Sequence, residues 1–235
     1  MAASGMVRVL VIDDEKRYRR LIAANFHMEG YKVIEASGVK EAMQLLGTFE
    51  PDVVVLDLRL PDGDGLVLCQ QIRAVSDAPI IVLTAMDSEE YLIRAFQLGA
   101  DDYMVKPFSP MELKVRVQAL LRRSRAMGET APEIRCGDLR LETDSRQLII
   151  GERHVRLTPT EWRLMREFMT HCGQVLTHEY LLGHIWGFEH LEEHEYLRVY
   201  VRNLRRHIEP NPKSPIYLIS FVGVGYALYS SPQGD

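Results

Sequence analysis

Several side chains suited to phosphoryl chemistry stand just beyond runs of apolar residues. Asp57 follows Val53-Val54-Val55-Leu56, and Asp13-Asp14-Glu15 follows Val9-Leu10-Val11-Ile12. Thr84 closes Pro79-Ile80-Ile81-Val82-Leu83, and Lys106 follows Tyr103-Met104-Val105. Short apolar runs of this kind read as buried parallel strands, whose carboxyl ends carry the sites of doubly wound α/β folds. Carboxylates that share one pocket must raise a pKa or gather a cation. A hard divalent ion resolves that conflict, and Mg²⁺ suits a site with one or two carboxylates and several waters. Such a cation lets a dianionic phosphoryl group approach, so that Asp57 could attack phosphorus and form an acyl phosphate. Lys106 would neutralise one phosphoryl oxygen and the Thr84 hydroxyl would bond another. A lone Asp at a strand end is usually a turn former, and an acidic cluster before a helix is usually a favourable charge set. The ordered set of strand-end groups argues for a shared site.

The elements that must position these groups alternate. Strands are expected near 7–12, 31–35, 52–57, 79–84 and 101–105, with helices near 15–28, 38–48, 64–74, 88–98 and 109–123. Five βα units imply a parallel sheet covered by helices on both faces. Ser109-Pro110 supplies a helix cap followed by Pro at the first helical position. Residues 1–123 therefore form one domain, 124–132 a small-residue linker, and 133–235 a second domain. In the second domain Leu139-Arg140-Leu141 and Gln147-Leu148-Ile149-Ile150 alternate as a small antiparallel sheet would. Helices follow near 159–171, 177–186 and 192–209, and residues 216–228 read as a hairpin with Gly at its turn.

The 235 residues contain no apolar stretch of the roughly 20 residues that a membrane span needs. The segment Met1–Met6 lacks the charged and apolar regions of a secretory signal. Cys69, Cys136 and Cys172 are scattered and odd in number. They are expected to form no disulfide framework, which points to a reducing cytoplasm. The net charge of −5 does not favour nucleic acid, so any basic surface must be local. One is present. Leu197, Val201, Leu204 and Ile208 recur at helical spacing, with Arg198, Arg202, Arg205 and Arg206 on the other side. Arginine binds phosphates or reads guanine, and Asn203 could read adenine. Most amphipathic helices merely show water such a face. Four Arg without i,i+4 acidic partners shift the reading toward DNA. The loop 187–194 carries His190, Glu192, Glu193 and His194, a set that suits an exposed surface better than a metal site.

Residues 7–123 resemble the receiver domain of two-component response regulators. The matching words are Val11-Ile12-Asp13-Asp14-Glu15, Val55-Leu56-Asp57-Leu58-Arg59-Leu60-Pro61-Asp62-Gly63-Asp64-Gly65, Leu83-Thr84-Ala85 and Gly99-Ala100-Asp101-Asp102-Tyr103-Met104-Val105-Lys106-Pro107-Phe108. The resemblance implies a flavodoxin-like sheet of order 2-1-3-4-5 and phosphoryl transfer from a sensor histidine kinase to Asp57. It implies Mg²⁺ held by Asp14, Asp57 and the Arg59 carbonyl with Asp13 nearby, and a cis Lys106-Pro107 bond. It also implies a switch in which Thr84 moves toward the phosphoryl group and Tyr103 turns inward. Arg94, Asp101, Asp102, Glu112 and Arg116, with Arg122 and Arg123 near them, would pair across a two-fold homodimer. Leu92 replaces an Arg common among relatives, which removes one such pair.

Leu157-Thr158-Pro159-Thr160-Glu161-Trp162-Arg163-Leu164, Val175-Leu176-Thr177-His178-Glu179-Tyr180-Leu181-Leu182, Ile185-Trp186-Gly187 and Gly223-Val224-Gly225-Tyr226 resemble the winged-helix output domain of OmpR/PhoB-type regulators. The likeness covers about residues 133–229. It implies that helix 192–209 enters the major groove of promoter DNA, with Tyr200 and Asn203 among the contacts, and that the final hairpin is the wing. Val222 and Ala227 replace basic residues common in wings. The loop 187–194 would touch RNA polymerase. Glu195-Tyr196-Leu197-Arg198 is similar to the potassium-transport (Kdp) regulators, a match too short to assign target genes. Two other readings compete: a DNA-binding regulator without a phosphate switch, and a phosphatase-like hydrolase. The hydrolase would want a second carboxylate where Arg59 stands.

Overall fold

The computed structural model describes residues 6–125, 133–143 and 145–230. The chain divides into two compact units, Met1–Arg125 and Ala126–Asp235. Most of the expected linker, residues 126–132, lies outside the described residues.

The first unit runs β1 (Arg8–Ile12), α1 (Lys16–Met28), β2 (Lys32–Ala36), α2 (Val39–Phe49), β3 (Val53–Leu56), the short pair β4 (Arg59–Leu60) and β5 (Gly63–Asp64), and α3 (Gly65–Val75). It continues with β6 (Ile80–Thr84), α4 (Glu89–Gln97), β7 (Asp102–Val105) and α5 (Pro110–Arg125), which passes the expected end at 123. The main strands form one parallel sheet of order β2-β1-β3-β6-β7. Counted as five strands, that is the expected 2-1-3-4-5. The central strands β1, β3 and β6 are apolar on both faces because helices cover both. Val9, Val11, Val53, Val55, Ile81 and Leu83 pack with Ile22 and Phe26 of α1 and Leu113, Val117 and Leu120 of α5. Alternate strand residues face α2, α3 and α4. Asp64 caps α3 by accepting the Leu66 amide, and the Ser109 hydroxyl lies at the start of α5 as expected.

The structure changes the role of Asp101. It was expected at a dimer surface, but it is 1% exposed. Arg73 donates to its carboxylate at 2.6 Å, as does the Ile80 amide at 3.0 Å. The same guanidinium bonds the Gly99 and Ala78 carbonyls. Asp101 therefore ties α3 to the entry of β7. Asp102 is also buried, and Arg116 reaches it at 2.9 Å while pairing with Glu112. Of the expected interface charges, Arg94 and Glu112 are exposed.

The second unit opens with an antiparallel sheet, β8 (Glu133–Cys136), β9 (Leu139–Glu142), β10 (Gln147–Ile150) and β11 (Arg153–Arg156). It continues with α6 (Pro159–Thr170), β12 (Leu176–Thr177), α7 (His178–Ile185), a 3-10 turn (Phe188–His190), α8 (His194–Ile208), β13 (Leu218–Phe221) and β14 (Gly225–Leu228). A capping box starts α6: the Thr158 hydroxyl accepts the Glu161 amide and the Glu161 carboxylate accepts the Thr158 amide. The hairpin β13–β14 turns at Gly223, whose φ of +73° suits glycine. Gly225 lets β12 close onto β14, since a Cβ there would strike the Leu176 carbonyl.

The expectation of no disulfide fails. Cys136 at the end of β8 and Cys172 just after α6 are bonded, with Cα atoms 6.2 Å apart. The partners are 36 residues apart, so no local spacing announces the pair. Cys69 is free and buried. We expect Asp101→Ala to lower the stability of the N-terminal unit by about 3–5 kcal/mol, because it strands a buried guanidinium. Arg94→Ala, at an exposed position, is expected to change it by no more than about 0.5 kcal/mol. Urea unfolding of the full chain measures both.

Candidate functional site

The parallel register brings the strand-end groups together. The Asp57 amide donates to the Ile12 carbonyl at 2.8 Å, and the Asp13 amide to Ala36 at 3.1 Å. These bonds carry the sheet one residue past β1 and β3, so both carboxylates leave the backbone at one edge. Ligand oxygens of Asp13, Asp14 and Asp57 all lie within 4.8 Å of one another. It is the one such group of His, Cys, Asp and Glu found among the described residues. Asp13 and Asp57 are buried and Asp14 is exposed.

Lys106 enters from β7. Its amide donates to the Thr84 carbonyl at 2.7 Å, and the Lys106-Pro107 bond is cis as expected. The ammonium bonds Asp13 at 2.7 Å and Asp57 at 2.5 Å. The Tyr18 ring lies 4.2 Å beneath it, a cation–π support that sequence spacing did not announce. Burial would lower the Lys106 pKa, but the bonds to Asp13 and Asp57 outweigh it and the ammonium is held. Burial raises the Asp13 pKa despite the Lys106 bond, the Glu15 amide and the Lys106 charge; the Asp57 charge pushes the same way as burial. Three carboxylates thus face one ammonium. The pocket keeps excess negative charge and offers hard oxygen donors, which fits a divalent cation. The Arg59 amide donates to Asp57 Oδ1 at 3.1 Å, placing the Arg59 backbone against that carboxylate.

Thr84 is fully buried at the end of β6. The Met86 amide approaches its hydroxyl at 3.5 Å, and the Tyr103 hydroxyl donates to the Met86 carbonyl. Tyr103 is already inward, 5% exposed. Burial, aided by the Asp87, Asp57 and Tyr91 charges, pushes its phenol up to about 12, so it remains a donor. The Met86 backbone connects Thr84 to Tyr103, a link that residue types alone did not reveal.

On α8 the arginines divide. Arg198, Arg202 and Arg206 are exposed at i,i+4 spacing. Arg205 instead folds back, donating to the Leu218 carbonyl at 2.7 Å and the Ser220 hydroxyl at 2.8 Å. Burial lowers its pKa. Arg198 pairs with Glu195, an acidic partner three residues away that the sequence reading overlooked.

Tyr200 and Asn203 depart from the expected DNA face. Tyr200 is fully buried and Asn203 is 5% exposed. Tyr200 packs on Trp186 at 5.2 Å and Tyr196 does so at 6.1 Å, which widens the buried stripe beyond the aliphatic positions. Val222 projects at the hairpin tip, and Ala227 is buried. His190, expected on an exposed loop, is buried beside Tyr196. His178 and His194 meet with ring centroids 5.3 Å apart in a cleft lined also by Gly223 and Val224. No helix among the described residues is long and apolar enough to cross a membrane.

Comparison with known proteins accounts for both units. Residues 9–118 match the response regulator receiver domain, and residues 151–228 match the C-terminal domain of transcriptional regulatory proteins. The chain is 37% identical over 221 residues to the KDP operon transcriptional regulatory protein KdpE of Escherichia coli, covering 94% of this chain and 98% of that protein. It is 39% identical over 230 residues to the alkaline phosphatase synthesis transcriptional regulatory protein PhoP of Bacillus subtilis, covering 94% and 96%. Among solved structures, a RitR mutant matches with a TM-score of 0.79 at 22% identity, covering 96% of this chain and all (100%) of that one, a likeness of fold alone. The Thermotoga maritima OmpR/PhoB homologue DrrB matches at 26% identity and a TM-score of 0.50, covering 95% and 99%. With an acidic pocket in the first unit and a winged helix in the second, the chain belongs to the OmpR/PhoB family of two-component response regulators, phosphorylation-regulated DNA-binding transcription regulators.

Proposed function

We propose that Asp57 is the phosphoacceptor, on the strength of one observation: the Lys106 ammonium bridges the Asp57 and Asp13 carboxylates with Asp14 beside them. An Asp57 oxygen attacks the phosphorus of a kinase phosphohistidine, the P–N bond breaks, and the imidazole leaves with a proton. Asp14, Asp57 and the Arg59 carbonyl would hold Mg²⁺ with Asp13 close by, and the ion would offset negative charge between the pocket and the incoming phosphoryl group. Lys106 exchanges one carboxylate partner for a phosphoryl oxygen. The Thr84 hydroxyl turns to another oxygen, and Tyr103 follows through the Met86 backbone.

The partners are a sensor histidine kinase, promoter DNA and, on phosphorylation, a second copy of the chain. The dimer face comprises α4, β7 and α5, where Arg94, Glu112 and Arg122 are among the charges open to a partner. Asp102 and Arg116 would have to exchange their internal pairing to join them. The domain division is 1–123, 124–132 and 133–235, the setting is the cytoplasm, and the loop 187–194 is the candidate contact for RNA polymerase. Pairing raises the effective concentration of two linked winged helices on adjacent half-sites. Arg198, Arg202 and Arg206 face the duplex, while Arg205 braces the wing. The KdpE and PhoP identities are nearly equal, so neither relative's target genes transfer to this chain.

We expect Asp57→Asn to abolish labelling by a small phosphodonor in Mg²⁺; labelling that persists overturns the assignment. Operator titrations at several salt concentrations test the arginine face. Each of Arg198→Ala, Arg202→Ala and Arg206→Ala is expected to reduce the slope of log affinity against log salt by about 1 if the residue meets phosphate. Tyr200→Phe is expected to leave that slope unchanged, since the ring lies in the core.

A further inference from the structure

The DNA-binding unit carries a pair of sulfurs that the phosphate switch does not use. Cys136 ends β8, the first strand of that unit, and is buried. Cys172 is half-buried in the turn after α6, and Gly173 beside it bonds the Leu228 carbonyl of β14. The Cα separation of 6.2 Å falls inside the window of about 4.4–6.8 Å that a disulfide requires. Both cysteines sit on elements fixed by other contacts: β8 by its ladder to β9 and by packing on α6, and the turn by the β14 bond. The sulfurs are therefore held in register by the fold itself. A cleft of about 560 Å³ beside them is lined by Ile134, Arg135, Arg166, Glu167 and His171, among others. It opens next to Arg135 and His171, the chain neighbours of the two cysteines. The third cysteine, Cys69, lies fully buried in the other unit, and that burial pushes its thiol pKa up to about 12. It is neither accessible nor nucleophilic.

We propose that Cys136 and Cys172 form a reversible dithiol–disulfide site, a redox input to the DNA-binding unit separate from Asp57. The Cys172 thiolate, the more exposed of the two, attacks one oxygen of hydrogen peroxide. The O–O bond breaks, the departing oxygen leaves as water after taking up a proton, and Cys172 becomes a sulfenic acid. The Cys136 thiolate then attacks the Cys172 sulfur, and the sulfenic oxygen leaves as a second water. In sum, two thiols are oxidised to a disulfide and one peroxide is reduced to two waters. Glutathione reverses the step by thiol–disulfide exchange. The bond closes a 36-residue separation from the unit's first strand past α6, and it restricts the unfolded chain accordingly. Neither cysteine lies on α8 or the wing hairpin. Oxidation therefore changes how long the unit survives stress and leaves its contacts to DNA unaltered.

The test uses the full chain, fully reduced and then treated with hydrogen peroxide. Alkylation in denaturant is expected to find three thiols before treatment and one after it, with a linked Cys136–Cys172 peptide in the digest. Cys172→Ser should leave two thiols under the same treatment, whereas Cys136→Ser should leave one, with Cys172 trapped as a sulfenic acid that dimedone labels, and reduced glutathione should restore three in the native protein. Operator affinity at 25 °C should be the same in both states, whereas the temperature at which binding is lost should rise by several degrees on oxidation. That rise should be absent in the two Ser variants. Three thiols after peroxide, a bond to Cys69, a bond that glutathione cannot open, or equal heat sensitivity in both states each overturns the proposal.

Discussion

One ammonium shared by two buried carboxylates organises the N-terminal unit. Lys106 can reach both Asp13 and Asp57 only because β7, β3 and β1 end at the same sheet edge. Burying such charges is costly unless they are paired and hydrogen-bonded. Here the Glu15 and Arg59 amides supply further bonds to the carboxylates. With Asp14 beside them, three carboxylates face that single ammonium. A bound divalent cation would offset the excess negative charge and let a phosphoryl dianion approach. The resting pairing is therefore poised between two partners for Lys106.

A second link carries the state of the pocket outward. Thr84 and Tyr103 both meet the main chain of Met86. A shift of the Thr84 hydroxyl would thus be felt as a displacement of the backbone between β6 and α4. Nearby, Arg116 already pairs within the chain with both the buried Asp102 and the exposed Glu112. A dimer built on this face must break internal ion pairs to form external ones, so the gain per contact is small and the face responds to modest changes in geometry.

The strand-end chemistry was legible because buried parallel strands are short, apolar and uninterrupted, and their ends are marked by the first polar residue. The sheet order and the cis Lys106-Pro107 bond followed from family resemblance. What escaped depended on distant partners. Asp101 and Asp102 look alike in sequence, yet neighbours on a strand point to opposite faces, and Arg73 lies 28 residues from Asp101. Tyr200 and Asn203 were placed on the DNA face by family resemblance, whereas the buried arc of α8 is wider than its four-residue aliphatic stripe, because Trp186 packs on two tyrosines. His190 was read as loop surface, though a 3-10 turn folds it inward. The Cys136–Cys172 pair has no local signature at all.

The backward turn of Arg205 has a mechanical consequence. By fastening the last turn of α8 to β13, it makes the helix and the hairpin proposed to meet the duplex a single lever. Tilting the helix must swing the hairpin by the same angle. On the proposed DNA reading, the spacing between adjacent grooves would be gauged as one measurement, and a duplex whose twist misplaced either contact would be rejected at both.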